Sequence, residues 1–268
     1  MAASLRAALV SRGSLRLAIA IACVGLCARW LPGSSALAGL LFVDHGWVTE
    51  SVAERIDDVA FVLLAVAGVS VLTRWLRFGL LFAGGFVLLL SVAEALRDPA
   101  WRDVILFEHA IRWVAPLALF VWLRPDGRTR RDMDAMYVFL LRLGVALTFA
   151  GHGVAALLSH PRFLDLLFAA HLRFFGEPLA QAAAETTLHA IGIVDLALAV
   201  AIVAVRSRAV AAWMAFWGLV TALSRVVHSG MDHWPEAALR ALHCGAPLAL
   251  VSAFALPRKA PPAVGGER

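Results

Sequence analysis

Eight runs of mostly apolar residues, separated by short polar joints, leave this chain few ways to fold. The runs are Leu15–Leu31, Ile56–Leu76, Phe78–Leu96, Phe107–Leu123, Tyr137–Leu158, Thr187–Val205, Ala209–Val227 and Leu239–Leu256. A helix crossing the hydrocarbon of a bilayer needs roughly 20 such residues, because each adds only about 1.5 Å of length. With 61% of residues hydrophobic, 16% charged and a mean hydropathy of +0.80, the chain has too little polar surface to clothe a water-soluble particle. Lipid must cover part of it. A pI near 10 could suggest nucleic acid. That reading fails, because the arginines sit in short clusters between the apolar runs, as membrane topology signals do.

The chain also repeats itself. Leu15-Arg16-Leu17 recurs 126 residues later as Leu141-Arg142-Leu143, and Leu40-Leu41-Phe42-x-x-His45 recurs at the same offset as Leu166-Leu167-Phe168-x-x-His171. The offset then becomes 131, pairing Ala53-Glu54 with Ala184-Glu185, Arg77 with Arg208, and Ala115-Pro116-Leu117-Ala118-Leu119 with Ala246-Pro247-Leu248-Ala249-Leu250. Ordered matches with one insertion placed in a loop point to an internal duplication. Four spans per half return the chain to its starting side, so the two units enter the membrane in the same direction. The expected fold is all-α and polytopic, with eight transmembrane helices as two parallel tandem four-helix bundles. Residues 1–124 form the first unit, 125–136 a cytoplasmic linker, 137–256 the second unit and 257–268 a disordered tail. Ser35–Trp47 and Phe163–Phe175 are amphipathic and too short to span, so each unit gains an interfacial segment after its first helix. The apolar run near the N-terminus, which resembles a signal peptide, reads as a span because it has a counterpart in the second half.

Basic residues concentrate on the side that holds the N-terminus, the joints at 74–77, 124–134 and 206–208, and the tail. Arginine and lysine are retained in the cytoplasm. This places both termini inside and the protein in a plasma membrane, with the lipid bilayer as its first partner.

Polar residues inside such spans are costly and usually face protein or a cavity. All nine histidines fall toward the expected outer side. His152, His189 and Asp195 are the candidate proton-exchanging or catalytic groups, because imidazole titrates near neutrality. Arg225, His228 and His243 are candidate ligand-binding groups. By the repeat offset Asp58 matches His189 and Glu94 matches Arg225, so opposite charges at equal depth are expected to pair between the halves. No metal site is expected. The histidine spacing matches no zinc motif, and no cysteine or carboxylate pair completes a ligand set. Cys23, Cys27 and Cys244 read as small apolar packers. Pro116 and Pro247 should kink the fourth span of each half, and Gly84-Gly85 should allow close helix approach. No P-loop, GxSxG, HExxH, CxxC or GxGxxG context is present.

Arg142-Leu143-Gly144 followed by Gly151-His152-Gly153, then Gly176-Glu177-Pro178, then Asp195 near a position where the family often has glutamate, give the second half a resemblance to the DoxX-like family of small bacterial membrane proteins. In the first half Leu26 stands where the second has His152, and Leu64 where it has Asp195. The resemblance implies a four-helix bundle in the bacterial inner membrane. It also implies a redox-linked role, since some relatives are tied to quinone-coupled sulfur oxidation and others to redox homeostasis. The function expected on these grounds is a redox-linked membrane subunit with a polar pocket at the outer end of the second half, for a quinone or another small amphiphile. Quinone is favoured over haem or metal as cofactor, and a membrane or periplasmic redox protein is the implied partner. A transporter or channel and a non-catalytic assembly factor are the alternatives. Whether the chain is an enzyme is left open at this level.

Overall fold

A computed structural model describes residues 2–30, 33–73, 76–123 and 130–255. Residues 125–129 of the expected linker, the joint at Arg74 and Trp75, and the tail 257–268 lie outside the described residues. All regular structure among the described residues is helical. In order come α1 (Ala2–Trp30), a short α2 (Ala36–Ala38) running into a π-helical turn (Gly39–Asp44), α3 (Glu50–Val71), α4 (Leu76–Arg97), α5 (Arg102–Glu108) and α6 (Ala110–Trp122). There follow α7 (Arg130–Leu157), α8 (Pro161–Phe175), α9 (Gln181–Ala204), α10 (Arg208–Ser229), a 3-10 turn (Met231–His233), α11 (Trp234–Ala238) and α12 (Ala241–Phe254). From Arg130 onward the order of elements repeats that of the first half: long helix, short amphipathic segment, two long helices, then a bent pair.

Five helices are long and apolar enough to cross a membrane, namely α1 from Arg12, α4 from Arg77, α7 from Asp132, α9 and α10. Two bent pairs, Arg102–Glu108 with Ala110–Trp122 and Met231–Ala238 with Ala241–Phe254, qualify only when each is counted as one broken span, bent by 45°. The expected span Ile56–Leu76 does not qualify. Its helix, α3, carries Glu50, Glu54, Arg55, Asp57 and Asp58 in its first three turns. The apolar remainder from Val59 is only about 20 Å long, short of the roughly 30 Å hydrocarbon core. The chain is thus an all-helical protein with five to seven candidate spans, not a demonstrated eight.

Its outer surface carries the mark of a lipid-facing molecule. Val59, Val62, Val66 and Val69 on α3, Ile193, Val200 and Val203 on α9, and Phe216, Leu219 and Leu223 on α10 are large, apolar and exposed. Water would tolerate such contiguous stripes poorly.

The halves do not pack as two separate bundles. α1 packs most heavily on α12, and α7 on α9 and α6. The last helix of each half therefore leans on the first helix of the other more than on its own. One continuous core results, running from Leu15, Ile19 and Cys23 through Ile111 and Ala115 to Leu141, Val145, Leu242 and Ala246. All three cysteines are free, and Cys23 and Cys27 are buried in this core. At the end nearer the chain termini, Asp134 ties the halves together. It pairs with Arg12 at 2.7 Å and accepts from Trp122 Nε1 at 2.7 Å, while the Arg12 guanidinium stacks 3.7 Å above the Trp122 ring.

Helix ends explain several arginines. The last carbonyls of a helix lack intrahelical donors, a heavy cost near hydrocarbon. Arg16 Nε donates to Val71 O at 2.7 Å at the end of α3, and Arg142 Nε donates to Ile202 O at 2.8 Å at the end of α9. Arg142 Nη2 also donates to Val203 O. The bends fall at His109 and at Leu239-Arg240, about two turns before the prolines expected to cause them. At the first break Ile111 N–H finds Thr148 Oγ1 at 2.9 Å. Pro247 leaves the carbonyl of His243 without its helical donor, and Gly218 of α10 packs directly on that carbonyl, where a Cβ would overlap it.

Candidate functional site

Both breaks lie at the same end of the molecule, remote from Arg16 and Arg142, and they pull polar side chains inward there. Glu108, His109 and Arg112 come from the α5–α6 break, and Glu236, Arg240 and His243 from the α11–α12 break. The ends of α1, α4, α7 and α10 add Arg29, Glu94, His152 and Arg225. All of these except His243 line a polar chamber of about 420 Å³ between the two halves, and His243 lines the pocket behind it. The sequence reading placed the pocket in the second half alone. The chamber belongs to both, because α5 and α6 are packed against α7.

A second, mostly apolar pocket of about 240 Å³ runs from the chamber into the second half. Phe163, Leu166, Leu167 and Ala170 of α8 face it from one side, with Phe149, Leu188 and Ile191 opposite. The two spaces share His152, Phe163, Leu166, Arg225 and Arg240. α8 has no buried residue of its own and takes its place through its apolar face, as an interfacial helix does. Deep in the apolar pocket stands Asp195, only 5% exposed, with Trp217 as its hydrogen-bonding neighbour and no partner for Oδ1. A buried carboxyl oxygen without a partner is expensive, so this one is available to whatever enters.

The chamber holds a chain of titratable groups crossing the halves. Glu108 Oε1 lies 3.3 Å from His152 Nδ1, His152 Nε2 lies 3.5 Å from His243 Nε2, and His243 Nδ1 lies 3.2 Å from Arg240 O. A carbonyl and a carboxylate both accept, so each Nδ1 carries a hydrogen. The two Nε2 atoms then meet lone pair to lone pair, unless a single added proton is shared between them. Such a proton would sit one ring away from the Glu108 carboxylate. These groups form one contiguous polar row at the apolar pocket's mouth.

The other charges are mostly committed. Glu236 holds Arg29 at 2.9 Å and Arg240 at 2.7 Å, and Glu94 faces His109 Nδ1 at 3.7 Å. The expected Glu94–Arg225 pair is not formed: both line the chamber, but Glu94 takes His109 instead. The reason is local geometry. The break at His109 turns that ring toward α4, which packs against α5. The expected Asp58–His189 pair is also absent. Asp58 faces a separate hollow with Glu50, Glu54 and Asp57, while His189 is exposed on α9 and meets Ser159 Oγ at 3.2 Å. His189 thus lies outside the site, on the far face of a helix whose inner face carries Leu188 and Asp195. His228 reaches the chamber rim, 2.5 Å from Ser229 Oγ. His160 also lines it, accepting Arg162 N–H at Nδ1 (3.2 Å); partial burial holds its pKa below the usual imidazole range against the opposing pull of Glu108.

Sequence reasoning passed over Glu108, Arg112 and Glu236. A signal was present: the repeat offset of 131 aligns Glu108-His109-x-x-Arg112 with Leu239-Arg240-x-x-His243, so the same register supplies polar groups from both halves. Among the described residues no group of three or more His, Cys, Asp or Glu side chains is placed to hold a metal ion. The fold and the site define a helical, multi-span membrane protein with a two-part internal cavity. Comparison with protein-family models, curated proteins and solved structures returns no match.

Proposed function

We propose that this chain is an integral membrane protein of DoxX-like layout, with the chamber end facing away from the cytoplasm, that binds a lipophilic amphiphile. The observation that carries the reading is the two-part cavity, an apolar pocket under α8 opening into a polar chamber through a shared wall. Such a space suits a ligand with a hydrocarbon body and a polar head. His152 stands at the junction, backed by Glu108 and His243, and exchanges a proton or hydrogen bond with the head. A quinone is the amphiphile to which the DoxX-like resemblance points, with a redox protein as the partner it would serve. α3 and the two bent pairs complete an eight-span count in this reading.

A duplicated origin is supported by matched detail. Arg16 on Val71 and Arg142 on Ile202 are related by the two sequence offsets. So are the closest approaches of Gly25, to Leu239 N, and Gly151, to Glu108 N.

Extraction of the purified protein tests the function. Wild type is expected to retain a quinone or another amphiphile detectable by mass spectrometry. Leu167→Trp, which fills the apolar pocket, should lose it while the protein stays folded. If wild type and Leu167→Trp carry the same extractable lipids in the same amounts, the amphiphile reading is wrong.

A further inference from the structure

Two guanidinium groups in the chamber have no direct ion-pair partner among the described residues. Arg112 of α6 is only 7% exposed, and Arg225 of α10 is half-buried. Neither makes a salt bridge or a side-chain hydrogen bond among the described residues, and the Nε of each is buried without a partner. No carboxylate reaches either one directly: Glu236 is held by Arg29 and Arg240, while Glu94 and Glu108 lie against His109 and His152. Asp98 and Asp165 also line the chamber, together with Arg162, but neither lies within 4 Å of Arg112 or Arg225. A guanidinium cannot shed its proton to escape burial, and its planar fork of five donors fits two oxygens of a phosphate or carboxylate at once. A buried arginine without a direct partner lowers stability, so these two groups are placed to hold an anion that enters the chamber. Arg225 lines the apolar pocket as well as the chamber, and so stands where a tail would meet its head.

We infer that the amphiphile is anionic, with a phosphate or carboxylate head held by Arg112 and Arg225 in the chamber and its hydrocarbon chain in the pocket under α8. This rests on the amphiphile reading above but not on the quinone, which carries no such charge. Asp195 lies at the tail end, away from the anion.

The test is thermal unfolding and ligand titration of the full chain in a neutral maltoside detergent. The probes are dodecyl phosphate, dodecanoate, dodecanol and inorganic phosphate. Dodecyl phosphate or dodecanoate should stabilise the protein saturably, dodecanol should bind at least about tenfold more weakly, and inorganic phosphate should also be weak, since losing a charge-assisted hydrogen bond costs that order of affinity. Arg112→Gln and Arg225→Gln should each weaken dodecyl phosphate binding by about tenfold or more, with Arg225→Lys in between. Unlike loss of a structural pair, Arg112→Gln should raise the melting temperature of the ligand-free protein, because it removes a stranded charge. If dodecanol binds as tightly as dodecyl phosphate and both Gln variants leave binding unchanged, the anionic head is refuted while the amphiphile reading stands. If inorganic phosphate alone matches dodecyl phosphate and Leu167→Trp changes neither, the arginines bind an anion but the amphiphile reading falls. A fall in ligand-free melting temperature in Arg112→Gln, with affinity intact, would make Arg112 structural and sink the inference.

Discussion

Arg16 and Arg142 close the ends of helices with which they share no sequence neighbourhood. Each reaches across to carbonyls that would otherwise meet a poorly solvating boundary. Replacing either by alanine strands those acceptors, at a cost of about 1–3 kcal/mol. Arg16→Ala and Arg142→Ala are expected to lower the melting temperature by similar amounts, and lysine should restore part of the loss. Indifference to both changes would remove the capping account. At His152 and His243 the atoms facing Nδ1 are acceptors, Glu108 Oε1 and Arg240 O, so Nδ1 is expected to carry the hydrogen in each ring. Nitrogen-15 NMR of histidine-labelled protein reads this directly. A bare Nδ1 in either ring would break the proton-sharing scheme at its first step.

Glycines decide how closely the helices approach, and the two in Gly84-Gly85 have opposite roles. Gly84 of α4 lies against Leu117 of α6, whereas a Cβ on Gly85 would meet nothing within 4 Å. Gly85→Ala is therefore expected to be neutral or stabilising by up to about 1 kcal/mol, as alanine is the better helix former. Gly151→Val is expected to cost about 1–3 kcal/mol or more through overpacking. Its Cβ would come within 2.6 Å of Glu108 N, at the break that carries the site. Chemical or thermal unfolding of the two variants side by side measures the contrast. Because Gly151 sits one residue from His152, its replacement should also disturb ligand retention, which Gly85→Ala should leave intact. Gly218 belongs to the same class. It seats α10 against the His243 carbonyl that Pro247 leaves free, and so fixes the depth of Arg225 relative to His243.

At the scale of the molecule, the interleaving of α1 with α12 and α6 with α7 turns two similar halves into one body with a shared chamber. Polar groups gather at one end, and the helix-capping arginines at the other. Reporters fused after Ser207, in the joint between α9 and α10, and after His233, in the joint before α11, are expected in opposite compartments, with Ser207 inside because Arg206 and Arg208 flank it. The same compartment for both would overturn the topology and with it the outward-facing chamber.

The membrane class, the helical content and five of the eight expected spans were legible in the sequence, because the length and apolarity of a run bear directly on what solvent it tolerates. That His152, Asp195, Arg225, His228 and His243 line the cavities follows from a related reason: a polar side chain in an apolar run needs a destination inside the protein. Their partners were not. Glu94 could be matched to Arg225 by register, but which charge it meets depends on a 45° bend at His109 and on the side chain that the bend turns toward α4. His189 lies six residues before Asp195 on the same helix, yet only packing decides which of them faces the cavity. Arg112 reads as one more arginine near a span end until α6 and α7 close around it. Composition acts locally along one chain, whereas the ion pairs, the cavity and the meeting of His152 with His243, 91 residues apart, are set by distances between separate segments.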